Sequence, residues 1–90
     1  MIFVTVGTHD QGFERLIKKM DEIAAEIDEE VVIQTGFTEY EPIHAEWFKF
    51  KDIEHIKEYY KKAKIIVAHA GAGTLLDSLS FGKTVIVVPR

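Results

Sequence analysis

The sequence predicts an α/β protein with a Rossmann-like, doubly wound parallel sheet of about five strands. Short apolar segments rich in β-branched residues alternate along the chain with segments whose apolar residues recur at helical spacing. The apolar segments are continuous, which is typical of strands that helices cover on both faces. A chain of 90 residues suffices for one compact core, so we predict a single domain over residues 1–90.

Four of the five predicted strands share an apolar, β-branched composition and stop at glycine, proline or a polar stretch, whereas the third has a weaker pattern. The five strands comprise residues 2–6, 31–35, 46–50, 64–68 and 84–88. The predicted helices are amphipathic and lie between these strands, at residues 13–27, 53–63 and 73–81. Asp52 suits the N-cap of the second helix, and Gly82 suits the end of the third. In the first helix we place Asp21 on the polar face, opposite the apolar stripe.

The composition excludes several classes of function. A formal net charge of −4 argues against general binding to nucleic acid, and the basic residues between 57 and 64 are best explained as the solvated face of a helix. The absence of cysteine excludes a disulfide framework and thiolate metal sites. No apolar run approaches the ~20 residues of a membrane span. We therefore expect a soluble, cytoplasmic chain.

The strongest local signal is the segment HAGAGT at residues 69–74, which joins a predicted strand to a predicted helix. Its small residues allow a ligand to approach the backbone closely, and a helix N-terminus attracts phosphate. Asp77 lies one helical turn beyond Gly73 and could accept hydrogen bonds from sugar hydroxyls. The alternative is that the glycines only make a tight turn between strand and helix.

Two standard phosphate motifs are incomplete. Residues 71–73 lack the third glycine of the dinucleotide fingerprint, and residues 7–12 have the glycine spacing of a P-loop without its lysine. The first loop could still cradle a diphosphate with Thr8 and His9 as donors, or Asp10 could simply cap the helix that follows. His9 and His69 lack a carboxylate or thiol partner in the sequence pattern, so they make only a weak metal signal.

Ligands of doubly wound sheets bind beyond the carboxyl ends of the strands. We therefore expect the functional residues within segments 7–12, 36–38, 51–53 and 69–74. His44 and His55 lie outside all four segments, and we interpret both as surface residues.

Two stretches of the chain resemble a known family. FVTVGTH at residues 3–9 and FERLI at 13–17 resemble the start of the soluble subunits of two-component bacterial and archaeal polysaccharide glycosyltransferases. AKIIVAHAGAGT at 63–74, continuing to GKTVIVVPR at 82–90, is similar to the signature of the same group. This is the C-terminal-domain type of glycosyltransferase family 28, and it includes the cytosolic subunit of the dolichol-linked N-acetylglucosaminyltransferase.

The resemblance implies a C-terminal domain of the GT-B type that binds a UDP-sugar. The implied reaction is inverting transfer of a hexose or N-acetylhexosamine to a lipid-diphosphate-linked acceptor in polysaccharide or glycan synthesis. The resemblance implies no metal and no other cofactor. It also implies a membrane-anchored partner subunit that carries the acceptor site, so that the chain is active only with that partner and is recruited by it to the membrane.

The resemblance assigns roles in donor binding by position, and it assigns no catalytic residue. Asp77 matches the acidic residue that binds the ribose hydroxyls, and Ile53 matches the residue whose backbone reads the uracil. The full set of expected donor-binding residues is Gly7, Thr8, His9, Ile53, His69, Ala70, Gly71, Ala72, Gly73, Thr74 and Asp77.

Members of this group continue beyond the position of Arg90 through further helices, so the resemblance also implies a C-terminally truncated, incomplete domain. Strand 84–88 would then lack part of its cover. An exposed apolar surface of this kind usually marks an interface. We therefore expect the chain to pair with itself or with a partner through this region.

Other functions are compatible with the sequence. The closest alternative is a non-catalytic nucleotide-binding or regulatory α/β module. Unlike a glycosyltransferase subunit, such a module would give no sugar transfer when UDP-sugar and partner are supplied. An unrelated Rossmann-like hydrolase or epimerase is a weaker alternative, because the chain has no Gly-x-Ser-x-Gly elbow and no Tyr-x-x-x-Lys pair.

Overall fold

A computed structural model describes residues 1–5, 14–69 and 82–88 of the chain. These residues form a five-stranded sheet and two helices, which confirms the predicted α/β class. The elements are, in chain order, β1 (Ile2–Thr5), α1 (Glu14–Glu26), β2 (Val31–Gln34), β3 (Glu46–Phe48), α2 (Ile53–Lys62), β4 (Ile65–His69) and β5 (Thr84–Val88).

The strands lie in the order β3-β2-β1-β4-β5, and all neighbouring strands are parallel. This is the strand order of a doubly wound Rossmann sheet. The chain continues from β1 to β2 on one side of the sheet and from β4 to β5 on the other. The reversal creates a switch point between the carboxyl ends of β1 and β4, where such sheets leave a crevice.

The two faces of the sheet carry separate apolar clusters, because alternate side chains of each strand point to opposite faces. The cluster beneath α2 contains Phe3, Val32 and Ile66 from the strands, with Ile56 and Tyr60 from the helix. Phe3 lies at its centre and stacks on Tyr59 with 5.3 Å between the ring centroids.

The second cluster lies beneath α1 and contains Val4, Ile33 and Val67 from the strands, with Ile17 and Met20 from the helix. Consecutive residues of β1 therefore contribute their side chains to the two clusters in turn. This explains the continuous apolar runs in the sequence, since a strand covered on both faces needs an apolar residue at every position.

Asp21 is buried, so its predicted place on the polar face of the first helix is wrong. Its carboxylate accepts hydrogen bonds from the backbone N–H groups of Ile43 (2.9 Å), His44 (2.8 Å) and Ala45 (2.9 Å), and from the hydroxyl of Tyr40 (2.9 Å). Asp21 lies four residues after Ile17, which puts it on the inward face of α1. The helical spacing alone therefore indicated this position.

These hydrogen bonds also set the ionisation of the pair. Burial opposes the charged form of Asp21, but the three backbone N–H groups and the Tyr40 hydroxyl outweigh it and hold the pKa of the carboxyl below its usual range. The same carboxylate raises the pKa of Tyr40, because its charge and its hydrogen bond both disfavour the phenolate. Asp21 thus fixes the segment that leads into β3.

Most elements begin at the predicted residue, and most end one or two residues from the predicted one. β3 ends at Phe48 instead of residue 50, which leaves Phe50 in the following loop. β5 has the predicted bounds, and Gly82 before it adopts a φ of 79°, which only glycine reaches without strain. The predicted third helix at 73–81 lies outside the described residues. Among the described helices, none is long and apolar enough to cross a membrane.

Candidate functional site

The carboxyl ends of β1 to β4, at Thr5, Gln34, Phe48 and His69, form one edge of the sheet, which we call the carboxyl edge. β1 and β4 are neighbours there, with Thr5 in register with Ala68. In the sequence, the predicted segments 7–12 and 69–74 come at the ends of these two strands. The ends of β1 and β4 border the switch point, where a ligand crevice is expected.

Most of the predicted donor-binding residues lie outside the described residues. These are Gly7, Thr8, His9, Ala70, Gly71, Ala72, Gly73, Thr74 and Asp77. His69 is placed as the last residue of β4, in register with Val88. Of the predicted set, Ile53 alone is described with its side chain.

Two of the strands end at the carboxyl edge in buried polar residues, Thr5 of β1 and Gln34 of β2. The Thr5 hydroxyl donates to the Gln34 side-chain oxygen at 2.7 Å, and both residues are buried. This hydrogen bond joins the ends of β1 and β2. A polar floor that is already hydrogen-bonded keeps the ends of these strands rigid beneath the crevice.

After β2 the chain makes a tight turn. Hydrogen bonds connect this turn to the last residue of β3 and to the residue that follows it. The backbone N–H of Thr35 donates to the carbonyl of Phe48 at 2.8 Å, and that of Gly36 donates to the carbonyl of Lys49 at 3.2 Å. Gly36 has a φ of 60°, in the left-handed region that favours glycine. The buried Thr38 hydroxyl has no hydrogen-bond partner within the described part of the chain, which is rare in folded proteins.

This turn holds an exposed aromatic pair at the carboxyl edge. Phe37 and Phe50 pack edge to face, with ring centroids 5.1 Å apart and an angle of 67° between the rings. Their side chains remain 56% and 44% exposed, and Ile53, at the start of α2, is 48% exposed. Exposed aromatic rings beside a crevice suit the face of a flat heterocycle, since base–aromatic stacking is favourable and tolerant of sequence.

A lysine follows Phe50 in the sequence and lies over two other aromatic rings. The Lys51 ammonium sits 5.1 Å from the centroid of the Phe48 ring and 5.6 Å from that of Tyr59, so the two rings hold it by cation–π attraction. Lys51 lies in the predicted functional segment 51–53, but no role was predicted for it. Phe50 was assigned to a strand, so its place in an exposed pair was not predicted.

The N-terminus of α2 is capped by its own chain. Asp52 accepts a hydrogen bond from the backbone N–H of His55 at 3.0 Å, as predicted for an N-cap, and its carboxylate lies 2.6 Å from the His55 ring nitrogen Nδ1. The hydrogen bond from the backbone N–H of His55, followed in size by the one to its ring, holds the pKa of Asp52 below the usual range. The N-terminus of α2 is therefore already occupied by a carboxylate of its own chain.

The described residues contain no group of three or more His, Cys, Asp or Glu side chains that could hold a metal ion. His44 and His55 are exposed, as expected. The described residues thus provide an exposed aromatic pair at the carboxyl edge of the sheet.

The whole chain, residues 1–90, matches the family model of the glycosyltransferase family 28 C-terminal domain. It is 33% identical to the human protein "UDP-N-acetylglucosamine transferase subunit ALG13" over 97% of the chain, and 28% identical to the mouse protein of the same name over 96%. The chain spans 8% of the length of each of these relatives. No solved structure matches the chain.

Proposed function

This chain belongs to the glycosyltransferase family 28 C-terminal domain family, and we propose that it binds the UDP-sugar donor of a glycosyltransferase. The relatives in man and mouse are named as subunits of a UDP-N-acetylglucosamine transferase. The observation that carries the proposal is the exposed pair Phe37 and Phe50 at the carboxyl edge of a doubly wound sheet.

In the proposed complex the uracil lies against this apolar surface. Phe37 and Phe50 supply ring faces and edges, and the backbone of Ile53 at the start of α2 supplies hydrogen bonds to the edge of the base. The first residues of a helix have backbone N–H groups without intrahelical partners, which makes such bonds available. The Lys51 ammonium adds positive charge close to an anionic nucleotide.

The ribose and the diphosphate belong, in the proposed complex, to the two segments at the switch point. Asp77 accepts hydrogen bonds from the ribose hydroxyls. Gly7, Thr8 and His9 border the diphosphate from the end of β1, and residues 69–74 border it from the end of β4. Backbone N–H groups of such small-residue segments can stabilise phosphate without a metal ion.

The proposed reaction is an inverting transfer. An acceptor hydroxyl attacks the anomeric carbon of the sugar on the face opposite the diphosphate, while the bond from that carbon to the phosphate oxygen breaks. The electron pair leaves with UDP, and the acceptor proton passes to a base. This chain holds the leaving UDP and stabilises the charge that develops on it, so its contribution is to lower the barrier to departure.

The remaining parts of the proposal concern partners. A membrane-anchored subunit would supply the lipid-diphosphate-linked acceptor site and the base, and would recruit this chain from the cytoplasm to the membrane. The word "subunit" in the names of the two relatives supports a partner-dependent enzyme.

Calorimetric titration with UDP tests the proposed site. We expect Phe37→Ala and Phe50→Ala each to weaken UDP binding by about 1–3 kcal/mol, the usual contribution of one base–aromatic contact. Ile43→Ala is the matched control, because Ile43 is also an exposed apolar side chain, at 78%, but precedes β3 instead of following it. Equal UDP affinity in all four proteins, or an equal loss in the control, would contradict the assignment.

A further inference from the structure

The side chain of Thr38 contains a buried hydroxyl without a partner. Thr38 is 4% exposed, and its Oγ1 makes no hydrogen bond within the ranges 1–5, 14–69 and 82–88 that the structure describes. Its backbone N–H is satisfied, because it donates to the carbonyl of Thr35 at 3.0 Å. A buried hydroxyl without a partner costs stability, and such groups are rare in native proteins and often have a functional reason.

Thr35, in the same turn, provides the contrast. It is fully buried, and its hydroxyl donates to the carbonyl of Phe48 at 3.4 Å. The turn after β2 therefore contains two buried threonines, of which one has a hydrogen-bond partner for its hydroxyl and the other has none in the described part of the chain. A valine has nearly the shape of a threonine and would fill the position of Thr38 without the cost of an unpaired hydroxyl.

The position of Thr38 connects it with the proposed base site. Its neighbour in the turn is Phe37, which packs edge to face on Phe50 at the carboxyl edge. More than half of the Phe37 side chain is exposed, so little of the molecule packs against its ring. The Cα atoms of adjacent residues are about 3.8 Å apart, so a ligand that contacts Phe37 also comes close to Thr38. A small shift of the turn then brings the Thr38 hydroxyl to that ligand.

We propose that Thr38 is a further binding residue for the donor, and that its hydroxyl donates to a carbonyl oxygen of the bound uracil. The inference rests on the proposed function, because it takes the uracil beside Phe37 as the source of the acceptor. The uracil ring carries two carbonyl oxygens, and a threonine hydroxyl donates one hydrogen bond. The bond also holds the turn, and with it the Phe37 ring, against the base.

This arrangement exchanges stability of the free protein for affinity. The unpaired hydroxyl raises the free energy of the folded chain, and binding removes that cost when the hydroxyl meets its acceptor. Removal of the hydroxyl should therefore stabilise the free protein and weaken UDP binding. A hydroxyl with a purely structural role would not move stability and affinity in opposite directions.

Thr38→Val tests both effects on the whole chain. We expect its melting midpoint to lie about 4 °C above that of the natural chain, and its UDP affinity to be about tenfold weaker in calorimetric titration. Thr38→Ser keeps the hydroxyl and should bind UDP within about twofold of the natural chain. Thr35→Val is the matched control, because it removes a hydroxyl that already has a partner, so its melting midpoint should fall.

Two results would overturn the inference alone. The first is equal UDP affinity in the natural chain and Thr38→Val. The second is a melting midpoint of Thr38→Val that falls like that of Thr35→Val, because the Thr38 hydroxyl would then have a partner in the free protein, in the rest of the chain or in a bound water. A natural chain that does not bind UDP would overturn the proposed function, and this inference with it.

Discussion

Among single residues, Asp21 shows how one buried carboxylate can organise a loop. It connects the inward face of α1 with Tyr40 and with the backbone of Ile43, His44 and Ala45. Its spacing from Ile17 indicates the inward position, but nothing within α1 indicates which groups the carboxylate bonds. Its hydrogen-bond partners lie about twenty residues away, and that pairing arises only when α1 packs beside the segment before β3.

Asp21→Ala should destabilise the fold by about 3–5 kcal/mol, because it leaves buried backbone N–H groups without an acceptor. Urea unfolding at neutral pH measures the loss, with Glu22→Ala as the control. Glu22 is the next residue, is 70% exposed, and makes only a 3.8 Å ion pair with Lys19, so its loss should cost less than about 0.5 kcal/mol. Equal midpoints for the natural chain and Asp21→Ala would contradict this role.

The same residue should make stability depend on acid. The pKa of Asp21 is lowered in the folded state, so its contribution is fully present above the unfolded value of about 3.9 and is lost as the pH falls through the lower, folded value. Asp21→Asn cannot ionise and should lose less stability than the natural chain between neutral pH and that acid range. Parallel loss of stability in the two proteins would show that Asp21 does not contribute.

Asp77 is the residue on which the proposed ribose contact depends. Asp77→Ala should weaken UDP binding by about 1.5–3 kcal/mol, the usual range for hydrogen bonds to a charged group. Asp77→Asn retains an acceptor oxygen and should lose less. Calorimetry on both variants, with circular dichroism to confirm folding, measures the effect. A folded Asp77→Ala variant that binds UDP like the natural chain would remove Asp77 from the site.

At the scale of elements, four of the five strands were largely predictable because each is a continuous run rich in β-branched residues with a clear stop. β5 was predicted with its bounds, since Gly82 and Pro89 flank it in the sequence. β3 was predicted too long, because Lys49 and Phe50 continue its alternation of polar and apolar residues. In the structure the strand ends at Phe48, whose carbonyl accepts a hydrogen bond from the backbone N–H of Thr35 after β2. That contact between distant segments is absent from any local pattern.

Lys83, the residue before β5, connects β5 with the end of α2. Its ammonium donates to the carbonyls of Lys61 at 2.8 Å and Ala63 at 2.6 Å, which satisfies acceptors that a helix C-terminus leaves unpaired. Lys83→Met should therefore destabilise the fold by roughly 1 kcal/mol. Lys62→Met is the control, because Lys62 is exposed on the same last turn. Thermal unfolding compares the two, and an equal effect would refute the capping role.

For the whole molecule, the doubly wound parallel sheet could be predicted from the sequence, but the aromatic surface could not. Alternating strands and helices predict a doubly wound sheet, and that sheet predicts a ligand at its carboxyl ends. Phe37 and Phe50 are thirteen positions apart. They meet because Thr35 and Gly36 bond to Phe48 and Lys49, a pairing between the ends of β2 and β3.

Donor binding by the whole molecule should not depend on a metal ion. The sequence has no Asp-x-Asp pair, and backbone N–H groups of the small-residue segments can provide the positive potential instead. The UDP affinity should therefore agree within about twofold between solutions with EDTA and solutions with manganese, a difference below about 0.5 kcal/mol. Binding that disappears with EDTA and returns with manganese would contradict this prediction.

Discrimination between UDP and ADP tests the central claim most directly, because the two ligands share the ribose and the diphosphate and differ in the base. Calorimetric titrations of the chain under identical conditions give both affinities. If a uracil edge is read at the start of α2 beside Phe37 and Phe50, UDP should bind at least tenfold more tightly than ADP, a difference of about 1.4 kcal/mol. Equal affinities for UDP and ADP, or no binding of UDP, would contradict the assignment of this chain as a UDP-sugar-binding subunit.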